Sequence, residues 1–103
     1  MEKMFKKDVV NAIQEKINSE GTSKPISKKD IEEVISTFYE VVEENCKNNV
    51  TTALLGFGTF GTAERKEKKG VNPKTGESII ISARRVPHFK FSKSFRDKIV
   101  EEI

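Results

Sequence analysis

Phe5, Val9, Ile13 and Ile17 recur at every fourth position, with Ala12 beside them and charged or polar residues between. That spacing predicts an amphipathic helix over about residues 3–18. The stretch 19–25 then brings a glycine, a run of polar residues and Pro25, which reads as a loop. Ser27, with Asp30 three residues on, marks a second helix start. Ile31, Val34, Ile35, Phe38, Val41, Val42 and Cys46 lay a broad apolar face along that helix, over about 28–47, with Tyr39 alongside. Seven apolar positions exceed what the first helix's five can cover. A sheet, a second subunit or both must cover the rest.

After Asn48-Asn49 the period changes. The stretches 50–55 and 59–63 are rich in β-prone residues, and Gly56 and Gly58 around Phe57 permit a tight turn between them. Ile79 to Ile81 and Val86 to Phe91 supply further extended chain, in which Pro87 requires an edge or a bulge. Phe95, Ile99 and Ile103 recur every fourth residue on a short final helix with Ser92 as its cap. The expected order is ααβββα, an α+β fold in a single domain, residues 1–103. Its first part, 1–49, is helical, and 50–103 carries the strands and the last helix. Between the second and third strands lies a long two-stranded excursion. At its end Asn72-Pro73-Lys74-Thr75-Gly76 is strong turn chemistry: proline sets φ, glycine permits positive φ, and asparagine bonds local backbone.

Composition sharpens this picture. With 35% hydrophobic and 34% charged residues in 103, a lone chain has a thin core, so oligomerisation is expected. The net charge of +3 is unevenly spread. Residues 1–50 hold eight Lys or Arg against ten Asp or Glu, whereas 51–103 hold eleven against six. A basic second half points to a polyanion, nucleic acid first, although a solvated lysine-rich surface produces the same balance. The single cysteine excludes an intrachain disulfide, and its place on the apolar stripe makes it a small core residue. There is no apolar run of transmembrane length and no signal-peptide core near the N-terminus, so a cytoplasmic protein without a membrane partner is expected.

Gly56-Phe57-Gly58-Thr59-Phe60-Gly61 matches the dinucleotide pattern G-x-G-x-x-G. That pattern must open a helix with an apolar face, and residues 62–69 offer only Ala63. The glycines therefore read as turn residues and the two phenylalanines as core anchors. His88, the only histidine, has no second histidine or cysteine near it to form a nucleophile–base pair or a metal site. Neither catalysis nor a cofactor, metal or small-molecule substrate is expected.

The runs Gly56-Phe57-Gly58-Thr59-Phe60, Glu64-Arg65, Gly70-Val71-Asn72-Pro73-Lys74-Thr75-Gly76-Glu77 and Arg85-Val86-Pro87-His88-Phe89-Lys90, in that order and spacing, closely resemble the bacterial histone-like HU and integration host factor family. The resemblance implies an intertwined dimer with a helical base, a saddle of strands and two β-ribbon arms. It places Phe57, Phe60 and Phe89 in the dimer core and an arm over about 65–85. It implies minor-groove binding of double-stranded DNA, with Pro73 wedged between base pairs and Asn72 on the groove floor. Arg65, Lys68, Lys74 and Arg85 would follow groove and backbone, and Lys3, Lys90, Lys93 and Arg96 would hold phosphates around the saddle. Val71 stands where the family often has arginine, and Glu77 where some members carry lysine. The implied role is a nucleoid-associated architectural protein that bends and compacts DNA with little sequence preference, as a homodimer or a heterodimer. A sequence-specific bender resembling integration host factor, and a protein-interaction module with a basic surface, remain the alternatives.

Overall fold

The computed structural model describes residues 2–19 and 24–103, so residues 20–23 of the expected inter-helix loop lie outside it. Eight elements follow in order. They are α1 (Lys6–Ser19), α2 (Lys28–Lys47), β1 (Thr52–Leu54), β2 (Gly58–Arg65), β3 (Lys68–Val71), β4 (Ser78–Ile81), β5 (Arg84–Phe91) and α3 (Lys93–Ile99). The fold is α+β, as expected. The chain divides into two compact units, 1–41 and 42–103, with α2 contributing to both.

In the first unit α1 begins at Lys6, three residues later than its periodicity predicts. The Phe5 carbonyl accepts the first helical bond from the Val9 N–H at 3.0 Å, and the Asp8 carboxylate accepts from the Phe5 N–H at 3.0 Å. This is the return half of a capping box, and it sets the start at Phe5. Ile13 and Ile17 of the expected stripe are half-buried, and Val10 beside it is the most buried residue of the helix. Val10 is 5% exposed, whereas Phe5 is 64% and Val9 39% exposed. Gln14 on the same side donates to the Ile26 carbonyl at 3.1 Å, and Asn18 accepts from the Ile26 N–H at 3.3 Å. Ser27 caps α2 as predicted, its hydroxyl accepting from the Asp30 N–H at 3.1 Å. Val10 and Ile31 are the buried apolar side chains among the described residues. Each contributes roughly 1.5–3 kcal/mol, little for a chain of this length. Val34 and Val41 on α2 stay 64% and 52% exposed, so the apolar surplus anticipated for this helix is present.

In the second unit the main sheet has the order β1-β2-β5, antiparallel throughout. β1 and β2 join through a tight turn in which the Phe57 N–H donates to the Leu54 carbonyl at 3.0 Å. Gly56 takes φ +79 there, which the third position of a type II turn requires. The segment matching the dinucleotide pattern thus forms a turn and opens a strand. β2 and β5 pair over eight positions, from Gly58 opposite Phe91 to Arg65 opposite Arg84. Pro87, opposite Thr62, sits on the edge strand, where a missing N–H costs no ladder bond. Within the chain Phe57 and Phe60 each pack on Phe89, with ring centroids 5.8 Å (Phe57–Phe89) and 4.5 Å (Phe60–Phe89) apart. Phe91 and Phe95 join them, stacked at 4.8 Å. Cys46 is half-buried and its thiol lies 3.6 Å from the Gly61 carbonyl.

Ser92 caps α3, accepting from the Phe95 N–H at 3.2 Å. The helix ends at Ile99 rather than continuing to Ile103, because Val100 turns to ψ 127 and its N–H closes on the Arg96 carbonyl at 3.0 Å. Glu101 and Glu102 would place negative charge at the negative end of a longer helix.

Gly58 is the tightest point of this packing. A Cβ there would lie 2.5 Å from Phe89 Cζ and 2.8 Å from the Lys90 carbonyl oxygen, which is backbone and cannot rotate away. Gly58→Ala is therefore expected to destabilise the fold by about 2 kcal/mol. Urea unfolding of the two proteins checks this, and an unchanged midpoint would contradict the packing.

Candidate nucleic-acid interface

Beyond the last β2–β5 pair the ladder breaks on both sides at the same level. Lys66-Glu67 separates β2 from β3, and Ser82-Ala83 separates β4 from β5. β3 and β4 then form a separate two-stranded ribbon, Lys68 opposite Ile81 through Val71 opposite Ser78. Ile79 to Ile81, which the sequence groups with the third extended stretch, belong to this arm. Gly70 keeps one of its faces thin. A Cβ there would meet Ile81 Cδ1 at 3.2 Å and Ile79 Cγ1 at 3.7 Å, so the two isoleucines close over the glycine. On the other face Val71 and Ile80 are 63% and 67% exposed. A two-stranded ribbon with no layer packed on it is marginal alone, so this one depends on its root and on whatever it binds.

The tip is well determined locally. The Asn72 N–H donates to the Glu77 carbonyl at 2.9 Å, and the Gly76 N–H donates to the Asn72 carbonyl at 2.8 Å. The Asn72 side-chain oxygen accepts from the Lys74 N–H at 2.9 Å, and the Thr75 hydroxyl accepts from the Glu77 N–H at 3.3 Å. Gly76 takes φ +74, which closes the turn. Pro73 stands exposed at this apex, a rigid apolar ring with no N–H to satisfy. Asn72 is half-buried, and its oxygen already serves the turn, which leaves its amide N–H₂ to face outward contacts.

Cations cluster at the root of the arm. Arg65 and Arg84 are cross-strand partners, and with Lys66, Lys68, Glu67 and Ile81 they line an open hollow of about 390 Å³. Arg84 and Lys66 were not among the sequence-predicted site residues. The dipeptide Arg84-Arg85 is visible in the sequence, but which of the two faces Arg65 depends on the β2–β5 register. Arg85 lies one pair further in, opposite Glu64, and its guanidinium donates to the Lys47 carbonyl at 3.2 Å. Lys74 is exposed at the tip, and Lys90 is exposed on β5 opposite Thr59. Lys93 pairs with Asp97 at 3.2 Å one helical turn on, an exposed pair worth a few tenths of a kcal/mol that a phosphate can displace. Arg96 lines an apolar hollow with Phe91, Phe95, Ile99 and Val100. Lys3 belongs to the other unit, where its ammonium lies 5.6 Å from the Phe5 ring centroid. Among the described residues no helix is long and apolar enough to cross a membrane.

The family model described as bacterial DNA-binding protein matches residues 4–100. The DNA-binding protein HU of Synechocystis is 38% identical over 99 residues, covering 96% of this chain and 98% of that protein. The integration host factor subunit alpha of Aliivibrio fischeri is 35% identical, covering 93% of this chain and 91% of its own. Among solved structures, an Anabaena HU–DNA cocrystal structure superposes with a TM-score of 0.84 at 35% identity, covering 96% of this chain and 100% of that one. With a family model spanning nearly its whole length and relatives matched end to end, the chain belongs to the bacterial DNA-binding protein family and is an HU-like member of it.

Proposed function

We propose that this protein is an architectural DNA-binding protein, not an enzyme, that grips double-stranded DNA through the minor groove and bends it. The observation that carries the reading is the β3–β4 arm: a thin ribbon, cationic at its root and ending in an exposed proline. A similar chain has been crystallised with DNA, which supports the same partner here. Arg65, Lys66, Lys68 and Arg84 at the root and Lys74 at the tip follow the phosphates. Asn72 reaches the acceptors of the groove floor, and Pro73 inserts between base pairs. Lys90, Lys93 and Arg96 take flanking phosphates, with Lys3 as a further cation. Unstacking a step costs a few kcal/mol, offset by the contacts that bent flanks bring within reach.

The protein acts as a dimer. Phe57 and Phe91 in the aromatic cluster remain 40% and 43% exposed, and Ile99 and Val100 beside it 65% and 76%. A second copy covering these side chains supplies the core that one chain lacks. Phe57, Phe60 and Phe89 then lie at the dimer core, 1–49 serves dimerisation, and 65–85 is the DNA-binding arm. With Asn72 as the groove-floor residue of each arm, sequence preference is low. The role that follows is compaction of the nucleoid in the cytoplasm. The likeness to an integration host factor subunit favours a second reading, a sequence-specific bender. Footprinting on mixed sequence separates the two, since a single protected site would select the second.

Binding should weaken steeply with salt. Each phosphate neutralised contributes a slope of about −0.9 in log K against log[salt], so the five arm cations together give about −4.5 per arm. A salt-insensitive affinity would refute the reading. Pro73→Ala should leave affinity within about threefold while sharply reducing the bend measured by energy transfer between duplex ends. Undiminished bending would remove Pro73 from the wedge role.

A further inference from the structure

The last turn of α2 leaves its carbonyls in need of donors, and all but one find a backbone partner. The Glu44 carbonyl takes the Asn48 N–H at 3.1 Å, the Asn45 carbonyl the Val50 N–H at 2.7 Å, and the Cys46 carbonyl the Asn49 N–H at 3.2 Å. With Asn49 at φ 57, the last two bonds are the paired closures of a Schellman motif. The Lys47 carbonyl is what that motif leaves over, and the Arg85 guanidinium fills it at 3.2 Å. A fixed cation there also meets the negative end of the helix.

This bond is the outermost of a series. The Asn45 amide donates to the Thr52 hydroxyl on β1 at 3.0 Å. The Cys46 thiol faces the Gly61 carbonyl on β2 at 3.6 Å, and the Thr62 hydroxyl donates to the Asn49 side-chain oxygen at 3.2 Å. Arg85 extends the series to β5, one residue from the level at which the ladder breaks. Inside that point the strands are fastened to a helix end. Outside it, β3 and β4 pair only with each other in the sheet.

We infer that Arg85 is a positioning residue that clamps the root of the arm to the C-terminus of α2, rather than one of the cations that hold DNA phosphates. Its guanidinium, although exposed, donates to the Lys47 carbonyl and so ties β5 to the helix end just inside the break, which fixes the direction in which the arm leaves the sheet. Arg84, its neighbour in sequence, is the cation left free. This rests on the arm being the DNA-binding element, and it departs from the family resemblance, which places Arg85 along the groove.

The test has one arm without DNA and one with it. In the free dimer, Arg85→Ala should speed amide exchange at Glu64, Arg65 and Arg84 at least about fivefold, as loss of one root bond allows. With nicked duplex DNA, the same variant should keep the wild-type salt slope while its bend distribution broadens. Arg84→Ala should reduce the slope by about 0.9. Unchanged exchange in Arg85→Ala, or a slope reduced by about 0.9 in it, overturns the inference. If the alanine variant does not fold, the wild-type protein decides by nitrogen-detected NMR. Resolved, slowly exchanging Arg85 guanidinium protons in the absence of DNA support the clamp, and a rapidly averaged signal overturns it. Failure of the wild-type protein to bind DNA at any salt would remove the proposed function and leave the exchange and NMR results standing.

Discussion

The eight-pair ladder between β2 and β5 is the interaction on which the second unit depends. One end, at Gly58 and Phe91, enters the aromatic cluster. The other, at Arg65 and Arg84, is cationic and solvent-facing. A single antiparallel register therefore decides both which phenylalanines interlock and which arginines stand together. A slip of one residue would invert every side chain of β5, turning Phe89 out and disrupting the Arg65–Arg84 pairing. Gly58 holds this register at the crowded end, since the Phe89 ring lies where any side chain on that strand position would have to go.

Past Arg65 the constraint changes in kind. The arm has no layer of its own to bury, and its stability comes from turn geometry at the tip and fastening at the root. Asn72 serves the tip through backbone N–H, carbonyl and side-chain oxygen together, which lets Pro73 stand without further support. A tip braced by its own hydrogen bonds, beyond a break in the ladder, suits the proposed insertion into a groove.

Much of this was legible in the sequence because it is encoded locally. The turn at 72–76, the caps Ser27 and Ser92 and the edge placement of Pro87 all follow from short-range chemistry. Other features are set by tertiary partners. In α1 Val10 is more buried than Val9, and the helix starts at Lys6 because Asp8 reaches back to the N–H of Phe5, its cap. Fourfold spacing alone carried α3 on to Ile103, whereas the chain turns at Val100. The break at 66–67 and 82–83 has no compositional mark, since it depends on two strands losing their pairing at the same level.

The Arg84-Arg85 pair shows most clearly what sequence order cannot express. Successive residues on a strand point to opposite faces, so two identical side chains enter different surroundings by the pleat alone. Arg85 is carried toward the end of α2, where an unpaired carbonyl and the negative helix terminus await a cation. Arg84 is carried to the hollow beside Arg65, Lys66 and Lys68, where Glu67 is the one carboxylate among four cations. The first environment offers its cation an acceptor within the chain, whereas the second leaves positive charge in excess. A cluster with excess positive charge is stable when exposed to water, and it gains most from a ligand that brings several negative charges at fixed spacing, as a DNA backbone does.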